Sequence, residues 1–125
     1  MNRTKRILIV EDFDETRAAY TDSLEGAGFE VLQARDGMEA LERAKQTLPD
    51  VVLLDIGLPR LDGFYVAELW KNDPNMSRVP VVAISAHSGP DYESRALAAG
   101  CQMALSKPCG AKEVLTAIRK VLARA

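Results

Sequence analysis

The run Val51-Val52-Leu53-Leu54-Asp55 sets four apolar residues directly before a carboxylate. That order is hard to satisfy except by a strand buried on both faces whose last residue emerges at a sheet edge. Ile7-Leu8-Ile9-Val10-Glu11-Asp12 repeats the arrangement and ends in two acids. In an open parallel sheet, ligands gather beyond the carboxyl ends of the strands. Three carboxylates from two strands are therefore expected to meet at one point, and the chemistry of the chain is expected there.

The 125 residues fit a single domain over 1-125, and 47% hydrophobic with 27% charged residues is enough to close a core. A formal net charge of -2 provides no general field for nucleic acid, and the basic start with Arg3, Lys5 and Arg6 runs straight into a strand-like segment. No nucleic-acid partner is expected. Apolar runs end after about four residues, against the roughly 20 that span a bilayer. No apolar stretch near Met1 resembles a signal-peptide core, so the expectation is a soluble cytoplasmic protein without a membrane partner. The oligomeric state is open, with a monomer favoured. Cys101 and Cys109 stand eight positions apart with no CxxC pair or histidine neighbour, which reads as two free thiols.

Strand-like segments at about 6-11, 30-34, 50-55, 80-85 and 102-106 alternate with helix-like segments at about 14-27, 37-47, 63-72, 90-99 and 110-123. Five β-α units follow, an α/β fold with a parallel sheet and helices on both faces. The first, third and fourth strands are continuously apolar, as for strands covered on both sides, whereas 30-34 looks like an edge. Asp14 and Asp36 are expected N-caps, with Glu39 completing a capping box after Asp36. Gly28 and Gly100 stand where helices must turn back into strands. Ala111, Val114, Leu115, Ile118, Val121 and Leu122 recur at helical spacing and make an apolar face, and Trp70 sits with Val66 and Ala67 at core positions of the third helix.

Three ionised carboxylates drawn together repel one another by about 4 kcal/mol per pair at 4 Å and an effective dielectric near 20. A divalent cation is the economical compensation, and carboxylates with a carbonyl and waters suit Mg2+. For any one of Glu11, Asp12 or Asp55 alone, capping a helix or ending a strand is the simpler reading. Two acid-ended buried strands in one sheet turn the balance toward a site. Ser85 ends Val81-Val82-Ala83-Ile84 and Lys107 follows Ala104-Leu105-Ser106 at the same edge. A nucleophile, a metal, a hydroxyl donor and a cation together are what phosphoryl transfer to a carboxylate requires.

These motifs, ILIVEDFDETR, VVLLDIGLPRLDG, VVAISA and ALSKP, resemble a response-regulator receiver domain of two-component signalling over nearly the whole chain, of the stand-alone single-domain type. The resemblance implies a doubly wound, flavodoxin-like sheet of order 2-1-3-4-5. It makes Asp55 the phosphoacceptor, Glu11 and Asp12 the acidic pair, and Gly57 the backbone carbonyl that helps hold Mg2+. Asp12 and Asp55 would ligate the ion directly, with Glu11 acting largely through water. Ser85 would follow the phosphoryl group, Lys107 would bridge to it, and Pro108 would follow a cis peptide. Pro59 and Gly63 would shape the loop and helix start after Asp55. The donor would be a phosphohistidine of a histidine kinase or histidine phosphotransfer protein, and the readout toward a downstream protein target would lie around residues 86-106 and the last helix.

Relatives commonly carry an aromatic three residues before the lysine, where this chain has Ala104. The familiar aromatic switch is thus absent or moved, with His87 and Tyr92 the nearest substitutes. His87 and Gly57 also bear on how water reaches the phosphoryl group. Cys109 stands where many relatives have an aromatic, and Phe13 is expected half exposed beside Arg17 and Ala18 as a partner contact. Two competing readings are a pseudo-receiver that is never phosphorylated and an aspartyl-phosphate phosphatase. The first is disfavoured by the complete acid, serine and lysine set. The second would place another acid two residues after the nucleophile, where Gly57 stands, so the chain is expected to catalyse only its own phosphorylation and dephosphorylation.

Overall fold

A computed structural model describes residues 3–124. The chain alternates β1 (Arg6–Val10), α1 (Asp14–Gly26), β2 (Glu30–Ala34), α2 (Gly37–Thr47), β3 (Val51–Asp55), α3 (Gly63–Lys71), β4 (Val81–Ser85), α4 (Pro90–Ala98), β5 (Met103–Ser106) and α5 (Ala111–Arg124). All four strand pairings are parallel and the sheet runs β2-β1-β3-β4-β5, the doubly wound order that the resemblance implies.

The continuous apolar strands sort onto two faces with period two. Leu8, Val10, Val52, Leu54, Val81 and Ala83 face a core shared with α2, α3 and α4. Ile7, Ile9, Val51, Leu53, Val82 and Ile84 face α1 and α5, where Val114, Ile118 and Val121 are fully buried. Every residue of β3 and β4 is buried, whereas β2 and β5 are only partly covered, as edge strands must be. Trp70 packs in the first of these cores.

Two helix ends explain how tight α-to-β turns are made. Phe29 N–H donates to Leu24 O at 3.1 Å and Gly28 N–H to Glu25 O at 3.0 Å. Cys101 N–H donates to Ala96 O at 2.9 Å and Gly100 N–H to Leu97 O at 3.0 Å. This paired pattern closes a helix only if the residue after the cap is left-handed, and Gly28 and Gly100 have φ of 96° and 99°.

The helix starts depart from expectation in two places. Asp14 is the first helical residue and not the cap, because Phe13 holds the N-cap position without a side-chain bond. The Asp14 carboxylate instead takes the Arg17 guanidinium at 2.7 Å. Asp36 does cap α2, accepting from Glu39 N–H at 2.9 Å, but the returning Glu39 carboxylate accepts from Arg35 N–H at 3.1 Å. The reciprocal bond has moved one residue outward.

Candidate functional site

The carboxyl ends of the central strands deliver the site. β1 ends at Val10, so Glu11 and Asp12 lie just beyond it; β3 ends on Asp55; β4 ends on Ser85; Lys107 follows β5. Sheet-like hydrogen bonds continue past the strands and fix these positions. Glu11 N–H donates to Ala34 O at 3.1 Å, Ile56 N–H to Ile84 O at 2.9 Å, and Lys107 N–H to Ser85 O at 2.7 Å. The backbone at each of these strand tips is therefore tied to a neighbouring strand, and the side chains inherit that direction.

Glu11, Asp55 and Ser85 are almost fully buried, while Asp12 is exposed at the mouth. Carboxylate oxygens of Glu11, Asp12 and Asp55 lie within 4.8 Å of one another. The Lys107 ammonium donates to Glu11 Oε1 at 2.9 Å and to Asp55 Oδ2 at 3.0 Å. The remaining carboxylate oxygens take backbone donors: Phe13 N–H to Glu11 Oε2 at 3.0 Å and Gly57 N–H to Asp55 Oδ1 at 2.9 Å. Both buried acids are thus oriented at each oxygen, which a reacting carboxylate needs if its approach geometry is to be preset.

Electrostatics follow from this packing. Burial raises the Glu11 carboxyl above its ordinary value, and the Asp55 charge adds to the effect against the opposing Lys107 and Phe13 bonds. Burial by itself would lower the Lys107 ammonium, but its hydrogen bonds to Glu11 and Asp55 and their charges outweigh this and hold it above its ordinary value. Three carboxylates cluster here and Lys107 pairs with two of them, an excess of negative charge that a divalent cation would neutralise. The donors fit Mg2+, which takes one or two protein carboxylates and keeps several waters, since exposed Asp12 leaves one side of the cluster open to solvent.

The second ring of residues contains features that pattern reading did not find. Arg17, beside the expected contact residue Phe13, turns inward: its guanidinium donates to Glu11 O at 2.9 Å, to Asp14 Oδ1 at 2.7 Å and to Gln33 Oε1 at 3.0 Å. The Asp14/Arg17 spacing of three was the available signal. Tyr20 O–H donates to Cys109 O at 2.8 Å and pins the loop after Lys107 to α1, a pairing across 89 positions that no local pattern announces. The Lys107–Pro108 peptide is cis.

Ser85 Oγ accepts from His87 N–H at 3.1 Å. His87 shares a groove of 420 Å³ with Gly57, Phe64 and Arg95, so the two residues expected to bear on water access do stand together. Ala104 lies in β5, and one residue further the Leu105 carbonyl accepts from Tyr92 O–H at 2.7 Å. Tyr92 is buried, which raises its hydroxyl above its ordinary value. Tyr92, one of the two expected substitutes, is thus tied to β5 one residue beyond Ala104. Phe13 is 59% exposed and lines a hollow with Tyr20, Lys107, Pro108 and Cys109.

Comparison with known proteins agrees with this geometry. The response regulator receiver domain model matches residues 7–119. The polar-differentiation response regulator DivK of Brucella ovis is 34% identical over 119 residues, covering 95% of this chain and 97% of that protein. Among solved structures, the chemotaxis response regulator CheY4 of Vibrio cholerae superposes with a TM-score of 0.91 at 26% identity, over 95% of this chain and 99% of that one. A CheY-like response regulator receiver domain protein of Methanospirillum hungatei gives 0.87 at 27% identity, over 98% and 96%. With the acids, serine and lysine assembled at the strand tips of the same doubly wound sheet, the chain belongs to the response regulator receiver domains.

Proposed function

We propose that Asp55 accepts a phosphoryl group from a phosphohistidine of a histidine kinase or histidine phosphotransfer protein, and that the phosphorylated domain signals through a downstream protein. The observation that carries this reading is the Lys107 ammonium held between Glu11 at 2.9 Å and Asp55 at 3.0 Å, a cation placed at the carboxylate that must receive a dianionic group. An Asp55 oxygen attacks phosphorus, the new P–O bond forms as the P–N bond breaks, and the imidazole leaves with the bonding electron pair. Lys107 turns its charge to the incoming phosphoryl oxygens, which stabilises a transition state by placement more than by chemistry of its own.

When bound, Mg2+ supplies further positive charge at the phosphoryl oxygens. Glu11, Asp12 and Asp55, with the backbone carbonyl of Gly57, would hold it. The phosphohistidine would approach past exposed Phe13 and the hollow beside Pro108 and Cys109. Ser85 Oγ, which now accepts from His87 N–H, turns to donate to the phosphoryl group and draws the segment after β4 with it. Tyr92 ties α4 to β5, so that movement reaches the surface made by residues 86–106 and α5. Phosphorylation then shifts a pre-existing equilibrium through added charge and acceptor oxygens.

Gly57 offers no second acid to drive turnover, so the chain modifies itself and does not process free substrate. Incubation with a small acyl phosphate and Mg2+, followed by intact mass, tests this. One phosphoryl increment that is absent from Asp55→Asn is the expected result. Sustained donor hydrolysis without an increment would make the chain a phosphatase, and no reaction would make it a pseudo-receiver.

A further inference from the structure

Among the described residues, six large apolar side chains stand exposed, and Met38, Leu48, Tyr65 and Leu69 all belong to α2, its C-cap or α3. Met38, Leu41 and Lys45 follow at i, i+3 and i+7 on α2, and Tyr65 and Leu69 at i and i+4 on α3, so each set shares one helix face. Between the helices lies a hollow of 540 Å³ walled by Leu41, Leu48 and Leu69, with nearly buried Trp70 and Met76 below. Leu48 and Leu69 are thus both exposed and on the wall of one hollow, and apolar exposure gathered in this way marks interaction surfaces.

Leu48 sharpens the point. It caps α2 with φ of 48°, a left-handed conformation that favours glycine or asparagine at a helix end, yet its side chain is 50% exposed. The fold thus places a leucine at a backbone cost without burying it. The rim adds charge: Lys45 stands on the α2 wall and Asp73 just past the end of α3. Among the described residues neither joins any of the salt bridges.

A cation on one wall and an anion on the other is self-complementary under a two-fold rotation, which lays α2 of one copy over α3 of the next. We infer that the α2–α3 face is a homodimer interface, occupied by a second copy of this chain with Lys45 of each copy facing Asp73 of the other. The apolar side chains close over the hollow, and the two ion pairs set the register. This face is separate from the strand-tip site, and its role does not depend on the chemistry of Asp55.

Sedimentation equilibrium of the full chain over a range of concentrations tests the inference. A reversible dimer is expected, and Leu69→Glu abolishes it while circular dichroism and the melting temperature stay those of the parent. Lys45→Asp and Asp73→Lys each weaken association by about tenfold, and the double variant restores it. Leu48→Asn weakens the dimer without lowering monomer stability, because asparagine accepts the left-handed backbone. A wild-type chain that remains monomeric to millimolar concentration overturns the inference, whether another protein takes the face or none does. So does a dimer that survives Leu69→Glu, and single charge variants without effect overturn the two-fold pairing.

Discussion

Lys107 is the side chain on which the strand-tip arrangement turns, because among the described residues it is the one ammonium that bonds both buried acids, Glu11 and Asp55. The surplus of carboxylate charge left around it predicts that Mg2+ stabilises the fold. Thermal unfolding should shift upward with Mg2+, by about 2.7 kcal/mol at a hundredfold excess over Kd, and most of that gain should vanish in Asp55→Asn. An equal gain in both proteins would remove the cluster as the binding site. The two thiols make a second test. Burial pushes the Cys101 thiol up to about 12 and raises Cys109 as well, so neither is a ready thiolate. With a disulfide reagent at neutral pH, half-buried Cys109 should react slowly and Cys101 only after unfolding; rapid labelling of Cys101 in the native protein would contradict its packing. Single residues were legible in sequence when they ended an apolar run, as Asp55 and Ser85 do. Arg17 was not, since whether an arginine of α1 points to solvent or back to the Glu11 carbonyl depends on β2 supplying Gln33 beside it.

The α3 start is set by Gly63, where an added Cβ would come within 2.6 Å of Ile56 Cα and 2.9 Å of Asp55 O. Both contacts are to backbone and cannot turn aside. Gly63→Ala should therefore push α3 away from the end of β3 and cost about 2–3 kcal/mol in urea unfolding, with loss of phosphorylation because Asp55 moves with its carbonyl. A neutral result would mean that the loop after Asp55 is softer than its packing implies. The loop between α2 and β3 gives a pH test. Asp50 is partly desolvated, which opposes its ionisation, but it accepts from Arg6 N–H at 2.7 Å and from both Arg3 Nη atoms at 2.6 and 2.9 Å, and its carboxyl is held below its ordinary value. A carboxyl lowered by folding contributes in full above its unfolded value, and the contribution is lost as pH falls through the folded one. Asp50→Asn should cost about 1–2 kcal/mol at neutral pH, mostly through the backbone bond since Arg3 is exposed, and the deficit should shrink in acid. A deficit independent of pH would assign it to packing. Strands and helices were legible because burial imposes period two on one and near 3.6 on the other; the cap of α1 falls at Phe13 and not Asp14 because the Phe13 carbonyl accepts the first helical bond, from Arg17 N–H at 2.9 Å, which an apolar residue's type does not announce.

Across the molecule, the alternation of apolar runs and helical faces specified an α/β sandwich, while the order β2-β1-β3-β4-β5 came from family resemblance, since periodicity carries no information about which strands are neighbours. The same division holds for the site. Its acids, hydroxyl and ammonium are strand-end residues and could be read in one dimension, but the bonds of Tyr20 to Cys109 and of Tyr92 to Leu105 exist only once α1 and α4 have docked. Those bonds join the loop after Lys107 and strand β5 to helices on opposite faces of the sheet. All of this requires Asp55 itself to carry the phosphoryl group. Borohydride reduction of the chain after treatment with an acyl phosphate, followed by peptide mapping, tests that directly, because reduction of an aspartyl phosphate leaves homoserine at the modified position. Homoserine at position 55 is the predicted result; an unaltered Asp55 in a chain that has gained a phosphoryl group elsewhere would contradict it.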